Sequence, residues 1–138
     1  MRIVVIDGQS GRLGAQIIEG LRQAGLSGDH ELIAIGTNAL ATGAMLKAGA
    51  EQGATGENPV IVQCRHADIL VGPIGMVMAD SLLGEITPAM AAAVAGSAAV
   101  RILLPVNRCR SIVVGTSQKT RAQLVEEAVA QVLSLCQA

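Results

Sequence analysis

Arg2-Ile3-Val4-Val5-Ile6 runs directly into Asp7-Gly8-Gln9-Ser10-Gly11-Arg12-Leu13-Gly14. The aliphatic run reads as a buried strand. The next segment spaces its glycines as G-x-x-G-x-x-G, and an apolar helical pattern begins inside it. Strand, glycine-rich turn and helix N-terminus is the arrangement by which α/β folds cradle phosphate. Glycines permit the tight turn, let the backbone approach a pyrophosphate and allow close helix–strand packing. The helix start adds N–H donors and positive potential. Ser10 offers a hydroxyl and Arg12 a charge. The competing use of the same glycines is simply a tight strand–helix turn.

Outward from this stretch, strands and helices alternate. The apolar spacing predicts a strand over 2–6 and a helix over 11–25, with Leu13, Ile17, Leu21 and Ala24 on one face and Gly25 as its stop. Glu31–Ile35 reads as a second strand and Ala39–Gly49 as an alanine-rich helix capped by Thr37 or Asn38. Val60–Val62 and Asp68–Val71 read as strands, and 53–58 as a polar loop. Thr87-Pro88 opens a helix running to about Ala95. Strands follow at Val100–Leu104 and Ser111–Val114, and a last helix runs from Thr116 or Ser117 to Leu135. The expected fold is α/β: a three-layer, Rossmann-like fold with a mostly parallel sheet. Only Gln63–His66 separate 60–62 from the next strand, too few residues for a parallel crossover. Residues 60–62 are therefore expected as an antiparallel edge element or no strand at all. The short link Pro105–Arg110 makes 111–114 a second antiparallel candidate.

Composition narrows the function. The 138 residues suit one domain, 51 % are hydrophobic, and there is no Phe, Tyr or Trp. A core of small and branched aliphatics fits a parallel sheet covered on both faces. Without aromatic side chains no stacking platform for single-stranded nucleic acid exists. A net charge of −1 with no dense Lys/Arg run also argues against nucleic acid as a partner. No apolar stretch reaches the roughly 20 residues that span a bilayer, so no membrane partner is expected. Cys64, Cys109 and Cys136 are widely spaced, which fits a reducing, cytoplasmic setting.

Further candidate groups lie on other connections. Strand two ends in Gly36-Thr37-Asn38, with no carboxylate for a ribose diol. Thr37 and Asn38 are instead candidates to accommodate a 2′-phosphate, which leaves NADP more open than NAD; their use as a helix cap ranks above it. Gly72-Pro73-Ile74-Gly75 bares backbone after another strand. Asn107 and Arg108 are candidates for an anionic group, and Cys109 ranks low as a nucleophile. Asp7 is a candidate to hold a metal ion or a ligand hydroxyl, or to orient the loop by accepting its N–H groups. The loop-orienting use ranks first. Cys64 and His66 have metal-ligand chemistry but no companions, so a structural role is preferred. Asp80, Glu85, Glu51 and Glu57 yield no pair that can be placed on one face. In a doubly wound sheet the loops at the strand carboxyl ends share one rim. That rim is expected to gather Gly8–Gly14, Gly36–Asn38, Gly72–Gly75 and Asn107–Arg108.

Val5-Ile6-Asp7-Gly8-Gln9, Ile35-Gly36-Thr37-Asn38-Ala39-Leu40-Ala41-Thr42, Gly53-Ala54-Thr55-Gly56-Glu57-Asn58, Gly72-Pro73-Ile74-Gly75 and Pro105-Val106-Asn107-Arg108-Cys109 together resemble an uncharacterised bacterial family catalogued as a domain of unknown function. The resemblance spans nearly the whole chain. It implies a bacterial cytoplasmic protein and transfers no activity. Members of that family often carry glycine where Ser10 and Arg12 stand, which shifts weight from those side chains to the backbone. Separately, Ala67–Val71, Ile86–Pro88 and Ile102–Leu104 are similar to the later strand–helix–strand of NAD(P)-binding Rossmann domains.

These readings lead to a binding domain for a nucleotide or other phosphorylated small molecule, with NADP among the candidates. The alternative is a non-catalytic homo-oligomeric sensor or scaffold, suggested by a mean hydropathy of +0.50 and the apolar run Met76, Val77, Met78, Leu82 and Leu83. A small reductase is the third reading.

Overall fold

The run Ile3–Ile6 is apolar on both sides because β1 (Arg2–Asp7) is the middle strand of a five-stranded sheet, order β3-β2-β1-β4-β5. The computed structural model describes residues 1–26, 28–106, 110–116 and 118–137. The other strands are β2 (Glu31–Gly36), β3 (Gln52–Thr55), β4 (Ile69–Pro73) and β5 (Val100–Leu104), and every pairing is parallel. Helices α1 (Arg12–Gln23), α2 (Ala39–Lys47), α3 (Glu57–Cys64), α4 (Pro88–Ala95) and α5 (Arg121–Gln137) complete the layers.

Period-two alternation splits the core. Ile3, Val5, Leu32, Ala34, Ile69 and Val71 pack with Leu13, Ile17 and Leu21 of α1, Met45 of α2, and Val125, Val129 and Val132 of α5. Val4, Ile6, Ile33, Ile35 and Leu70 pack with Val60 and Cys64 of α3 and Met90 and Val94 of α4. Helices thus cover both faces, as an all-parallel sheet requires.

Several expectations change. Of the two readings of residues 60–62, an antiparallel edge element or no strand, the second holds: they lie inside α3, where Val60 and Cys64, four apart, turn one face to the sheet. Three consecutive β-branched side chains imitate a strand; the crossover between β3 and β4 makes them a helix. The third strand falls instead at Gln52–Thr55, overlapping the segment expected as a loop. It is an edge strand with only Ala54 and no larger apolar side chain to bury, so it lacks a hydrophobic alternation. Residues 111–114 form no strand either; Ile112 and Val114 are 88 % and 92 % exposed. The expected antiparallel edge strands are therefore absent among the described residues. The last helix begins later than expected, at Arg121, where Thr120 and Gln123 cap it reciprocally: Gln123 N donates to Thr120 Oγ1 at 3.2 Å and Thr120 N to Gln123 Oε1 at 2.9 Å. Thr87 and Pro88 open α4 as expected, the Thr87 hydroxyl accepting Met90 N at 3.1 Å.

The apolar run 76–83 also takes a different place. Met76 and Leu82 are core residues, and Leu83 alone in that run is nearly fully exposed. The run begins inside a 3-10 turn (Ile74–Val77) and builds a folded connection rather than an α-helix or an open apolar face. No helix among the described residues is long and apolar enough to cross a membrane.

Leu70 is fully buried in β4. Leu70→Ala is expected to lower the unfolding free energy by about 2–5 kcal/mol in urea titration, and Leu40→Ala, at a 70 % exposed position, by no more than about 0.5 kcal/mol.

Candidate functional site

The chain runs outward from β1 to β2 and β3, then crosses to β4 and β5. The strand order therefore reverses between β1 and β4, the place where open α/β sheets leave a crevice at the strand carboxyl ends. The turn Gly8–Gly14 stands there.

Asp7 organises that turn. Its side chain is only 5 % exposed. Oδ1 accepts Gly8 N at 2.8 Å and Oδ2 accepts Gly14 N at 2.7 Å. The loop-orienting use of Asp7 is thus the one seen. Burial raises its pKa against the opposing pull of the two N–H groups and of Arg121. Gly11 adopts φ 73°, and a Cβ there would lie 2.6 Å from Ala41 Cα, so α1 and α2 meet closely at this point. Gly8 is packed against side chains instead: a Cβ would lie 2.7 Å from Thr37 Oγ1 and 2.9 Å from Leu82 Cδ1. At Gly14, Gly36 and Gly72 the place of a Cβ is filled by Met45, Thr42 and the Ile6 carbonyl. The glycines therefore serve close packing throughout the turn.

Not every N–H of the turn faces outward unpaired. Gly14 N is bonded to Asp7, Gly11 N donates to Gly8 O, and Arg12 N contacts Ser10 Oγ at 3.4 Å. Ser10 N and Leu13 N have no hydrogen-bond acceptor among the described residues. Leu13 points its side chain into the core, whereas Ser10 and Arg12 are exposed.

One carboxylate that the sequence offers but does not place, Glu85, sits in the crevice. Glu85 Oε1 accepts Thr37 Oγ1 at 2.7 Å, Asn38 Nδ2 at 2.6 Å and Gln9 N at 3.1 Å; Oε2 accepts Gln9 N at 3.1 Å. Partial burial pushes its pKa up, but the hydrogen bonds from Thr37, Asn38 and Gln9 outweigh this and leave it below the usual carboxylate value. Asn38 also donates to Gln9 O at 2.9 Å and caps α2 by accepting Ala41 N at 2.9 Å. Gln9, Thr37, Asn38 and Glu85 thus form one cluster on the rim.

The connection that presents Glu85 is unusual. Asp80, Leu82 and Leu83 have φ of 64°, 55° and 57°, and Gly84 has 89°. Left-handed backbone at non-glycine residues costs of order 1–3 kcal/mol each and persists only where the surroundings enforce it. Here Asp80 N donates to Ile86 O at 2.7 Å and Ile86 N to Ser81 O at 3.2 Å, Ser81 Oγ bonds to the Gly75 carbonyl, and Leu82 and Ile86 are buried. Gly72 and Gly75, expected to bare backbone to a ligand, support this connection: Gly72 lets Met76 approach β1, and the Gly75 carbonyl holds Ser81. Pro73 ends β4, buried. Asn107, Arg108 and Cys109 lie outside the described residues. Glu85 lies 76 residues from Gln9, so no local spacing reveals it; the turn Leu82-Leu83-Gly84 just ahead of the Thr87-Pro88 helix start was the nearest signal.

Cations near the crevice are Arg12 and Arg121, the first residues of α1 and α5; Arg121 lowers the pKa of Asp7, though less than its hydrogen bonds do. A groove of about 390 Å³ lies elsewhere, between β5 and α5, lined in part by Ile102, Leu104, Lys119 and Leu124. Its lysine is bridged to Glu127 at 2.5 Å. Cys64 is buried, which pushes its thiol up to about 11. Among the described residues no three His, Cys, Asp or Glu side chains cluster as a metal site needs.

A carboxylate held below its usual pKa of 4.5 stabilises the fold above that pH and loses the contribution as pH falls through its folded value. The difference in urea midpoint between wild type and Glu85→Gln is expected to be largest near pH 7 and to shrink below about pH 4.5. Asp7 is shifted the other way chiefly by burial; the Glu85 charge is the smallest of its causes, so Asp7 changes little between the two proteins. A difference that does not change with pH would mean that the cluster does not hold Glu85 ionised.

Comparison with known proteins gives a fold and a family. The dodecameric FMN-dependent UbiX-like decarboxylase of Escherichia coli O157:H7 is similar at 16 % identity, with a TM-score of 0.50 over 100 % of this chain and 96 % of that one. At that identity the likeness is one of fold. No curated protein matches. The family described as a domain of unknown function, DUF3842, matches residues 2–137, and the chain belongs to it.

Proposed function

We propose that this protein binds a phosphorylated small molecule, of the nucleotide class, in the crevice between the carboxyl ends of β1 and β4. The observation that carries the reading is the turn into α1, where Ser10 N and Leu13 N have no acceptor among the described residues, at the strand-order reversal. A phosphate there accepts those N–H groups at the positive end of a helix dipole. Arg12 and Arg121 supply charge from two helix starts. The similar FMN-dependent decarboxylase makes a flavin nucleotide a member of the class worth testing beside adenine nucleotides. Without aromatic residues, the base or flavin ring rests on aliphatic side chains.

A thermal-shift series with inorganic phosphate, ribose 5-phosphate, AMP, NAD+, NADP+ and FMN is expected to raise the midpoint for at least one ligand. Arg12→Gln and Arg121→Gln are each expected to weaken that ligand by about fivefold, the scale of a solvent-exposed charge contact. Silence across the series overturns the reading. Gly11→Val is unsuitable as a probe, because the new Cβ meets Ala41 whatever the ligand does.

A second reading, assembly of identical copies, is favoured by the exposure of Val100, Ile112 and Val114, at 49 %, 88 % and 92 %. Covering such side chains is what self-association achieves. Sedimentation velocity is expected to show a species larger than the 14.0 kDa chain, shifted toward monomer in Ile112→Lys. A monomer at all concentrations sinks this reading and leaves the ligand site untouched.

A further inference from the structure

At the end of β2 the side-chain donors are spent. The Thr37 hydroxyl proton goes to Glu85 Oε1. One proton of the Asn38 amide goes to Glu85 Oε1 and the other to Gln9 O, and its oxygen accepts Ala41 N. The side chains of the two residues at the end of β2 therefore have no proton left to offer a 2′-phosphate. What remains is acceptor capacity. Glu85 Oε1 receives three hydrogen bonds, whereas Oε2 receives only a share of the Gln9 N–H. Two carboxylate oxygens carry about four lone-pair sites, so Oε2 is open to a donor from outside. Glu85 is only partly buried.

A carboxylate with a free oxygen, flanked by Thr37 and Asn38 side chains whose protons are already committed, selects ligands that bring hydroxyls. We infer that Glu85 is the specificity-determining residue of this crevice, accepting the hydroxyls of an unmodified ribose or ribityl chain and excluding a ligand phosphorylated at that position. The assignment rests on the nucleotide reading above. It uses a residue delivered from the connection after β4, where the end of β2 itself carries no acid. Charge and hydrogen bonding act together: a phosphate beside Glu85 meets like charge and finds the Thr37 and Asn38 side chains occupied, whereas a diol donates to a charged oxygen with lone-pair capacity left. The left-handed residues Asp80, Leu82 and Leu83 hold the carboxylate there, so the selectivity is built before the ligand arrives.

The test is calorimetric titration with two matched pairs: NAD+ against NADP+, and AMP against 2′-deoxy-AMP. Wild type is expected to prefer the member with both hydroxyls by about tenfold or more in each pair, since a site built around a hydroxyl discriminates strongly against its loss. Glu85→Gln keeps the side-chain shape and removes the charge; it is expected to narrow the NAD+ to NADP+ ratio to within about threefold. Equal or tighter binding of NADP+ by wild type, an unchanged ratio in the variant, or no binding of any of the four overturns the assignment. If inorganic phosphate, ribose 5-phosphate or FMN still shifts the midpoint in the thermal series while the pairs show no discrimination, the phosphate site stands and only the role of Glu85 falls. The wild-type preference decides the matter even where the variant fails to fold.

Discussion

The Asp7 carboxylate accepts Gly8 N at 2.8 Å and Gly14 N at 2.7 Å. Those two bonds tie the end of the central strand to the first turn of α1. Placing a carboxylate at a site 5 % exposed opposes its ionisation, and its pKa rises accordingly. The two N–H groups offset that cost by giving the oxygens directed donors where water is excluded. The turn could not close so tightly with side chains present: Gly8 lies against Thr37 and Leu82, and Gly11 against the backbone of Ala41. Strand, acid and glycines form one unit, and α1, α2 and the β4–α4 connection are packed onto it.

The same bonds shape what the crevice can recognise. By consuming Gly14 N, Asp7 restricts the helix-start donors to Ser10 and Leu13. By drawing in Glu85, the cluster of Gln9, Thr37 and Asn38 converts a rim of donors into one with an acceptor in it. A purely cationic pocket would suit any polyanion. A rim with backbone N–H groups and arginines near α1 and a carboxylate beside β2 suits a ligand that is charged at one end and hydroxylated at the other.

The segments whose physics is local were legible. Ile3–Ile6 is apolar because both faces are covered, Asn38 and Thr87 cap helices through their own side chains, and Pro88 stands where its missing N–H costs nothing. Gly8–Gly14 was legible as a strand–helix turn, and Asp7 as the group that orients it. The failures have equally specific causes. Val60–Val62 carried a strand's composition but form one turn of a helix. Gln52–Thr55 pairs with β2 through backbone alone, so the side chains hold no trace of it. Ile112 and Val114 have strand-forming side chains and no partner strand. The apolar run at Met76–Leu83 suggested an exposed surface, but the 3-10 turn and the left-handed residues fold most of it inward.

Taken by itself, the amino-acid sequence determined the layered α/β class, the central strand and the glycine turn, because hydrophobic period, turn chemistry and helix capping act over a few residues. Tertiary structure alone decided that the sheet is wholly parallel, since that depends on which segment pairs with the edge of β2. It alone decided that Thr37 and Asn38 give their protons to Glu85. Glu85 stands 76 residues from Gln9 and 47 from Asn38. Contacts over such separations come from how elements pack, and no spacing within the chain encodes them.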